Sequence, residues 1–335
     1  MIINRRSFLA ASALGAFSSA VPSLTPKAWA QAKQVRVANG TTLDILSLPD
    51  VRTFEVFLPK EGAYQTSVTY VPGAVRAIQA VLVGEAEVGI STLGSGLAAV
   101  LQNQDIRVFC LASGARPYLV PVAAKGITSL KQLEGQEVGV ISLVDSTYYL
   151  LVMMMRSQGA DPTKVQWRVV GGGAGRANAM ISGAVKAAMF QVGQALDLME
   201  KGSFDLVPAP FDGLKNTIFK AFWAKRDFLE KNPETADAIV RAHLLSTREA
   251  LNKQQFMSYA PPPLAPMTPD VISRSYDILL KTGPWDPNDA LLNKTAGDET
   301  VADMVRYGVI SGPVDFDKWA VTGHVARAVA KLGTV

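Results

Sequence analysis

Two stretches about a hundred residues apart carry the same succession of apolar and polar positions. In the first, residues 66–71 alternate as a strand does and run into Pro72-Gly73. A 3.6-residue apolar period then spans 74–83 and stops at Gly84, and a second strand covers 88–91. In the second stretch the corresponding pieces are a strand over 165–170, a turn at Gly171-Gly172-Gly173, a helix over 174–182 stopped by Gly183, and a strand over 185–190. Even Arg76-Ala77 and Arg176-Ala177 hold matching helix positions. Strand, glycine turn, short helix, glycine stop and strand make a βαβ unit, because glycine tolerates the left-handed residue that ends a helix. Two such units predict an α/β protein of two lobes, each built on a mostly parallel sheet flanked by helices.

The remaining pattern fits that plan. Ile106 to Leu111 is apolar at every position but Arg107, as a buried strand would be. A short helix over 128–134 precedes a strand over 137–141, and a helix over 147–158 follows, stopped by Gly159. The Tyr148 to Met155 run within it reads as core rather than as a methionine-rich binding face. Residues 217–224 predict an extended return strand. Beyond it the chain is helical, over 233–251, 269–281, 298–308 and 324–332, with Pro261-Pro262-Pro263 as a stiff surface loop.

The first thirty residues fall outside the globular pattern. Arg5-Arg6-Ser7-Phe8-Leu9 precedes a mild apolar stretch up to Val21, and Ala28-Trp29-Ala30 is a small-x-small cleavage site. The apolar stretch is well short of the roughly 20 residues that span a bilayer. The segment resembles a twin-arginine (Tat) export signal, with Asn4 and Ala10 departing from that pattern, so the Sec route is the alternative. Cleavage near Ala30 predicts a periplasmic, soluble product of about 305 residues, enough for two lobes. It also removes Arg5, Arg6 and Lys27 and no acid, taking 33 basic residues to 30 against 29 acidic ones. The mature part has no Lys/Arg run, which excludes a nucleic-acid partner. The single cysteine, Cys110, rules out an internal disulfide or a thiolate metal site, and the leader has no cysteine for a lipid anchor.

A search for catalytic groups comes up empty. The two histidines, His243 and His324, lie within predicted helices away from any suggestive Ser or Cys. No Gly-x-Ser-x-Gly elbow and no His-Glu-x-x-His spacing occurs. Gly171 to Arg176 is glycine-rich but lacks the Gly-Lys-Ser/Thr end of a P-loop, and Asn178 stands where a dinucleotide fingerprint needs glycine. No catalytic residue, metal or cofactor is therefore expected. What recurs is a gentler device. Three predicted strands, ending at Ser91-Thr92, Ser142 and Gly172, are followed by hydroxyls or glycines that open a helix. Such ends carry free N–H groups and a partial positive charge, at the side of a parallel sheet where ligands bind.

Residues 77–89 (AIQAVLVGEAEVG), 127–139 (ITSLKQLEGQEVG), 159–165 (GADPTKV) and 182–188 (SGAVKAA) occur in one order and spacing. On these the chain resembles periplasmic substrate-binding proteins of ABC importers, of the nitrate/sulfonate/taurine type related to thiamine-pyrimidine precursor proteins. The cysteine-rich motif of the pyrimidine-synthase branch is absent. The resemblance implies a type II two-lobe periplasmic-binding-protein fold with crossing hinge strands. Lobe one would combine 34–121 with 217–335, and lobe two would be 122–216. It implies binding of a small organic, anionic solute, such as a sulfonate or carboxylate, and delivery to ABC permease subunits in the inner membrane. The implied pocket takes Asp50, Thr92, Ser95, Arg116 and Tyr118 from lobe one, and Ser142, Ser146, Thr147, Gly173, Arg176 and Gln191 from lobe two. Arg116 and Arg176 are the candidates for a bidentate grip on the anion. Open against this, Arg116 lies on the surface, Arg176 pairs with a neighbouring acid, and Ser146 serves only as a helix cap. Two other functions stay open, an exported cofactor-dependent enzyme and a ligand-sensing subunit of a membrane receptor.

Overall fold

A computed structural model describes residues 32–41, 43–116, 118–143, 145–208, 216–260, 264, 267–281 and 283–335. The expected leader and the expected loop at Pro261-Pro262-Pro263 lie outside the described residues. Among the described residues, ten strands form two five-stranded sheets. The first contains β1 (Lys33–Asn39), β2 (Tyr64–Tyr70), β3 (Val88–Thr92), β4 (Ile106–Leu111) and, much later, β10 (Lys220–Lys225), in the order β2-β1-β3-β10-β4. The second contains β5 (Val120–Ala124), β6 (Glu137–Val140), β7 (Gln166–Val169), β8 (Ala187–Phe190) and β9 (Phe204–Leu206), in the order β7-β6-β8-β5-β9. In each sheet three neighbouring strands are parallel and the fourth position runs against them: β10 is antiparallel to β3 and β4, and β5 to β8 and β9. The sheets therefore share one topology, each mostly parallel, as the repeated βαβ pattern predicts.

The helices follow from the same pattern. After β1 come α1 (Leu48–Arg52), a five-residue π-helical stretch (Thr53–Phe57) and α2 (Leu58–Glu61). The crossover helix of the first unit is α3 (Ala74–Leu82), which buries Ala77, Ile78, Ala80 and Val81, a 3.6-period face, against β1 and β3. Next is α4 (Leu93–Leu101), whose Gly96 lies under the Trp223 indole, where any Cβ would overlap the ring. This close approach seats the start of α4 at the end of β3. In the second lobe α5 (Ser146–Ser157) is buried continuously from Tyr149 to Met155, so the methionine run is core. The crossover helix there is α6 (Gly173–Ile181), followed by α7 (Val192–Glu200).

The C-terminal part forms α8 (Arg226–Lys231), α9 (Pro233–Ala250), α10 (Lys253–Tyr259), α11 (Pro269–Leu280), α12 (Lys294–Arg306) and α13 (Gly323–Leu332). One apolar core joins the first sheet to α9, α12 and α13. A second joins the second sheet to α5, α6 and α7, and it also takes in Phe256, Ile272, Tyr276 and Trp285. Thus α11 packs on α7 of the second lobe and is tied to it by the Arg274–Glu200 ion pair. The Trp285 indole N–H donates to the Leu46 carbonyl of the first lobe at 3.2 Å. Both histidines are packing residues: His243 meets Thr53 at 3.1 Å, and His324 meets Asp237 at 2.6 Å. Cys110 is fully buried in β4, and burial holds its thiol well above the usual range.

The chain passes from one sheet to the other between β4 and β5, and back between β9 and β10. These crossings meet at Phe219, whose amide donates to the Ala115 carbonyl at 2.5 Å and whose ring meets Tyr118 edge-on at 5.4 Å.

Candidate ligand-binding cleft

Three helices begin on one space between the lobes. Its walls are Pro72 to Val75 at the start of α3, Thr92, Gly94, Ser95 and Ala98 at the start of α4, and Ser142, Asp145, Ser146 and Tyr149 at the start of α5, with Val309 closing one side. Its volume is about 440 Å³, within the size range of small-molecule sites. Each helix start has local causes. Gly73, at φ 93°, turns the chain from β2 into α3. Thr92 keeps extended backbone at the N-cap of α4, with its hydroxyl 3.0 Å from that of Ser95. Asp145 caps α5, one carboxylate oxygen accepting from the Thr147 amide at 2.8 Å and the Thr147 hydroxyl at 2.7 Å. The first N–H groups of a helix have no intrahelical acceptor, so Ala74, Val75, Gly94 and Ser95 bring unsatisfied donors to the lobe-one wall.

Of the eleven residues expected from the sequence, Thr92, Ser95, Ser142 and Ser146 line this cleft from both lobes. Tyr118 and Gln191 lie beside one another, and neither lines the cleft. The others do different work. Asp50 is wholly buried: it accepts from the Ser113 amide at 2.6 Å and pairs with Lys220 at 3.3 Å. Burial pushes its carboxyl up to about 6, against the pull of Lys220. Lys220 lies opposite Thr92 in the β3–β10 register and also attracts the buried Asp44, so this ionic cluster underlies the cleft wall rather than facing a ligand. Thr147 is buried and positions Asp145, its hydroxyl also accepting from the Ile141 amide at 3.0 Å. Gly173 packs against the Gln194 side chain.

Neither candidate arginine lines the cleft. Arg176 is 4% exposed, donating to the Met189 carbonyl at 3.0 Å and the Gly171 carbonyl at 3.1 Å, with its guanidinium over the Phe190 ring. Burial lowers its pKa, partly offset by the field of Asp145. Its repeat counterpart, Arg76, forms an exposed pair with Glu85. Arg116 donates to the Gly283 carbonyl at 3.0 Å. Sequence reasoning passed over Asp145, Tyr149, Gly73 to Val75 and Val309. Asp145 was legible as an N-cap two residues before Thr147; Val309, which follows α12 and rests on Gly94, had no local signal.

Two sheets of one topology, with a cleft between them walled by helix starts from both, define a two-lobe α/β fold of the periplasmic-binding-protein type. Residues 66–256 match the family model described as NMT1/THI5 like, and the chain belongs to that family. Solved structures of similar fold include the putative periplasmic sulfonate-binding protein SsuA of Methylobacillus flagellatus KT, at 21% identity over 90% of this chain and 95% of that one, TM-score 0.68. The aliphatic sulphonate binding protein SsuA of Escherichia coli is 15% identical over 85% and 96%, TM-score 0.68. The nitrate-binding protein NrtA of Synechocystis PCC 6803 is 13% identical over 90% and 90%, TM-score 0.70. Among curated proteins no relative matches the chain. No helix of the described residues is long and apolar enough to cross a membrane.

Proposed function

We propose that the protein binds a small organic solute between its lobes in the periplasm and delivers it to the permease subunits of an ABC importer, without chemically changing it. The observation that carries this reading is the 440 Å³ cleft walled by helix starts from both lobes. The names of the similar structures, periplasmic sulfonate- and nitrate-binding proteins, point the same way. Lobe one is taken as 34–121 with 217–335 and lobe two as 122–216, closing on the solute by rotation about the paired crossings. Export by the Tat or Sec route would bring the chain to the periplasm. The solute's oxygen acceptors would meet the N–H groups of α3 and α4 and the hydroxyls of Thr92 and Ser95, and those of Ser142 and Ser146 from the other lobe. A sulfonate or carboxylate would thus be held by helix ends and hydroxyls, without Arg116 or Arg176.

The test is thermal denaturation of the leader-free protein with sulfonates, carboxylates, nitrate and pyrimidines. A cognate solute at 100 times its dissociation constant stabilises the folded state by about 2.7 kcal/mol. Absence of any stabilising solute, or conversion of the bound solute into a product, would overturn the proposal.

A further inference from the structure

The charges around the cleft do not suit a purely anionic solute. Among the described residues no Lys or Arg lines it, whereas the Asp145 carboxylate does. Arg176 lies within electrostatic reach of Asp145, but main-chain carbonyls and the Phe190 ring hold it out of the cavity. Behind the lobe-one wall Asp44 and Asp50 share one cation, Lys220. Among the described residues, the only ionisable acid or base on the cavity surface besides the Tyr149 phenol is Asp145.

The role of Asp145 as a helix cap uses one of its oxygens, Oδ1, which takes both bonds from Thr147. Serine, threonine or asparagine would cap as well without bringing a charge to a binding cleft. Beside Asp145 stands Tyr149, one turn further along α5, which lines the same cavity and is 4% exposed. Burial and the neighbouring Asp145 both hold its hydroxyl protonated. A carboxylate next to a neutral aromatic face attracts a cationic nitrogen twice, by a charge-assisted hydrogen bond and by the ring quadrupole.

Resting on the solute-binding reading above, we infer that the solute carries a cationic nitrogen, an ammonium or amidinium, held by Asp145 and Tyr149 on the lobe-two side of the cleft. The solute is thereby polarised across the lobes, with acceptor oxygens towards α3 and α4 and the nitrogen towards α5. Asp145 becomes the specificity-determining residue, since a solute lacking the nitrogen leaves the carboxylate desolvated and unmatched.

The experiment measures binding by calorimetry for pairs alike except at the nitrogen: 2-aminoethanesulfonate and 2-hydroxyethanesulfonate, 4-aminobutanoate and 4-hydroxybutanoate, benzamidine and benzamide. Native mass spectrometry of the purified protein identifies any solute carried from the cell. The expected result is that the nitrogen-bearing member binds more tightly by about 10-fold or more, the range of a hydrogen bond to a charged group. The Asp145→Asn variant, which retains a cap, should abolish that preference; Asp145→Ser serves if Asn impairs folding. Equal binding within every pair, a preference that survives both variants, or a carried solute without a basic nitrogen would overturn the inference and leave the solute-binding reading standing. If no probe binds and no solute is carried, both fall.

Discussion

Replacing Asp50 by asparagine separates a role in the cleft from a role beneath it. Asp50 and Lys220 are both inaccessible to solvent, and their charged atoms lie 3.3 Å apart. Asparagine keeps an acceptor for the Ser113 amide but leaves Lys220 with Asp44 as its remaining carboxylate. Breaking a buried ion pair by removing one partner costs about 3–5 kcal/mol, because the other charge stays desolvated. The retained Ser113 bond and Asp44 put Asp50→Asn near the lower end. Lys220→Met strands two buried carboxylates and belongs near the upper end. With a urea slope of about 3 kcal/mol per molar, a 3 kcal/mol loss moves the unfolding midpoint down by about 1 M. Urea titrations at pH 7.5 of both single variants and the double variant measure this. The double variant should be less destabilised than the sum of the singles by at least about 1 kcal/mol, the signature of a direct interaction. If each single change costs under about 1 kcal/mol, or Asp50→Asn weakens solute binding with an unchanged midpoint, the buried-pair account is wrong and Asp50 contacts the solute.

Three further outcomes are expected. Asp289 accepts from the Leu111 amide at 3.0 Å, and burial pushes its carboxyl up to about 7. Its folded-state pKa thus lies above the unfolded value, so its contribution is fully present near pH 4 and lost as pH rises through 7. Relative to Asp289→Asn, the wild type should lose stability by up to about 1.4 kcal/mol per pH unit across that window, and parallel pH–stability curves would refute this. Gly96→Ala drives a methyl into Trp223 and should destabilise by about 1–3 kcal/mol in thermal or urea unfolding. Ser95→Ala and Ser146→Ala should each raise the dissociation constant of the solute by about 2- to 10-fold while leaving the unliganded melting temperature in place, as calorimetry and thermal melts would show.

Local pattern carried the architecture well. The strand over 66–71 and helix over 74–83 appear as β2 and α3, and the strand over 165–170 and helix over 174–182 as β7 and α6, with bounds off by one or two residues. Periodicity and glycine stops are properties of neighbouring residues, so one sequence displays them. Helix starts were legible for the same reason, and Thr92, Ser95, Ser142 and Ser146 reach the cleft because they sit at such starts. Burial of charge is a different matter. Nothing near Asp50 says that Lys220, 170 residues away, will share its pocket, and nothing near Arg176 says that the Met189 carbonyl will take its guanidinium. The π-helical turn at Thr53–Phe57 and the attachment of α11 to α7 likewise depend on contacts distant in sequence.

The buried Cys110 has a practical consequence for watching the molecule move. Its thiol is sequestered in β4 and held protonated, so the native fold should be silent towards maleimide dyes. Cysteines introduced at exposed Val83 on one lobe and Leu143 on the other, neither lining the cleft, would then be the two labelling points. Energy transfer between them would report the distance across the cleft, solute by solute, in an otherwise native chain.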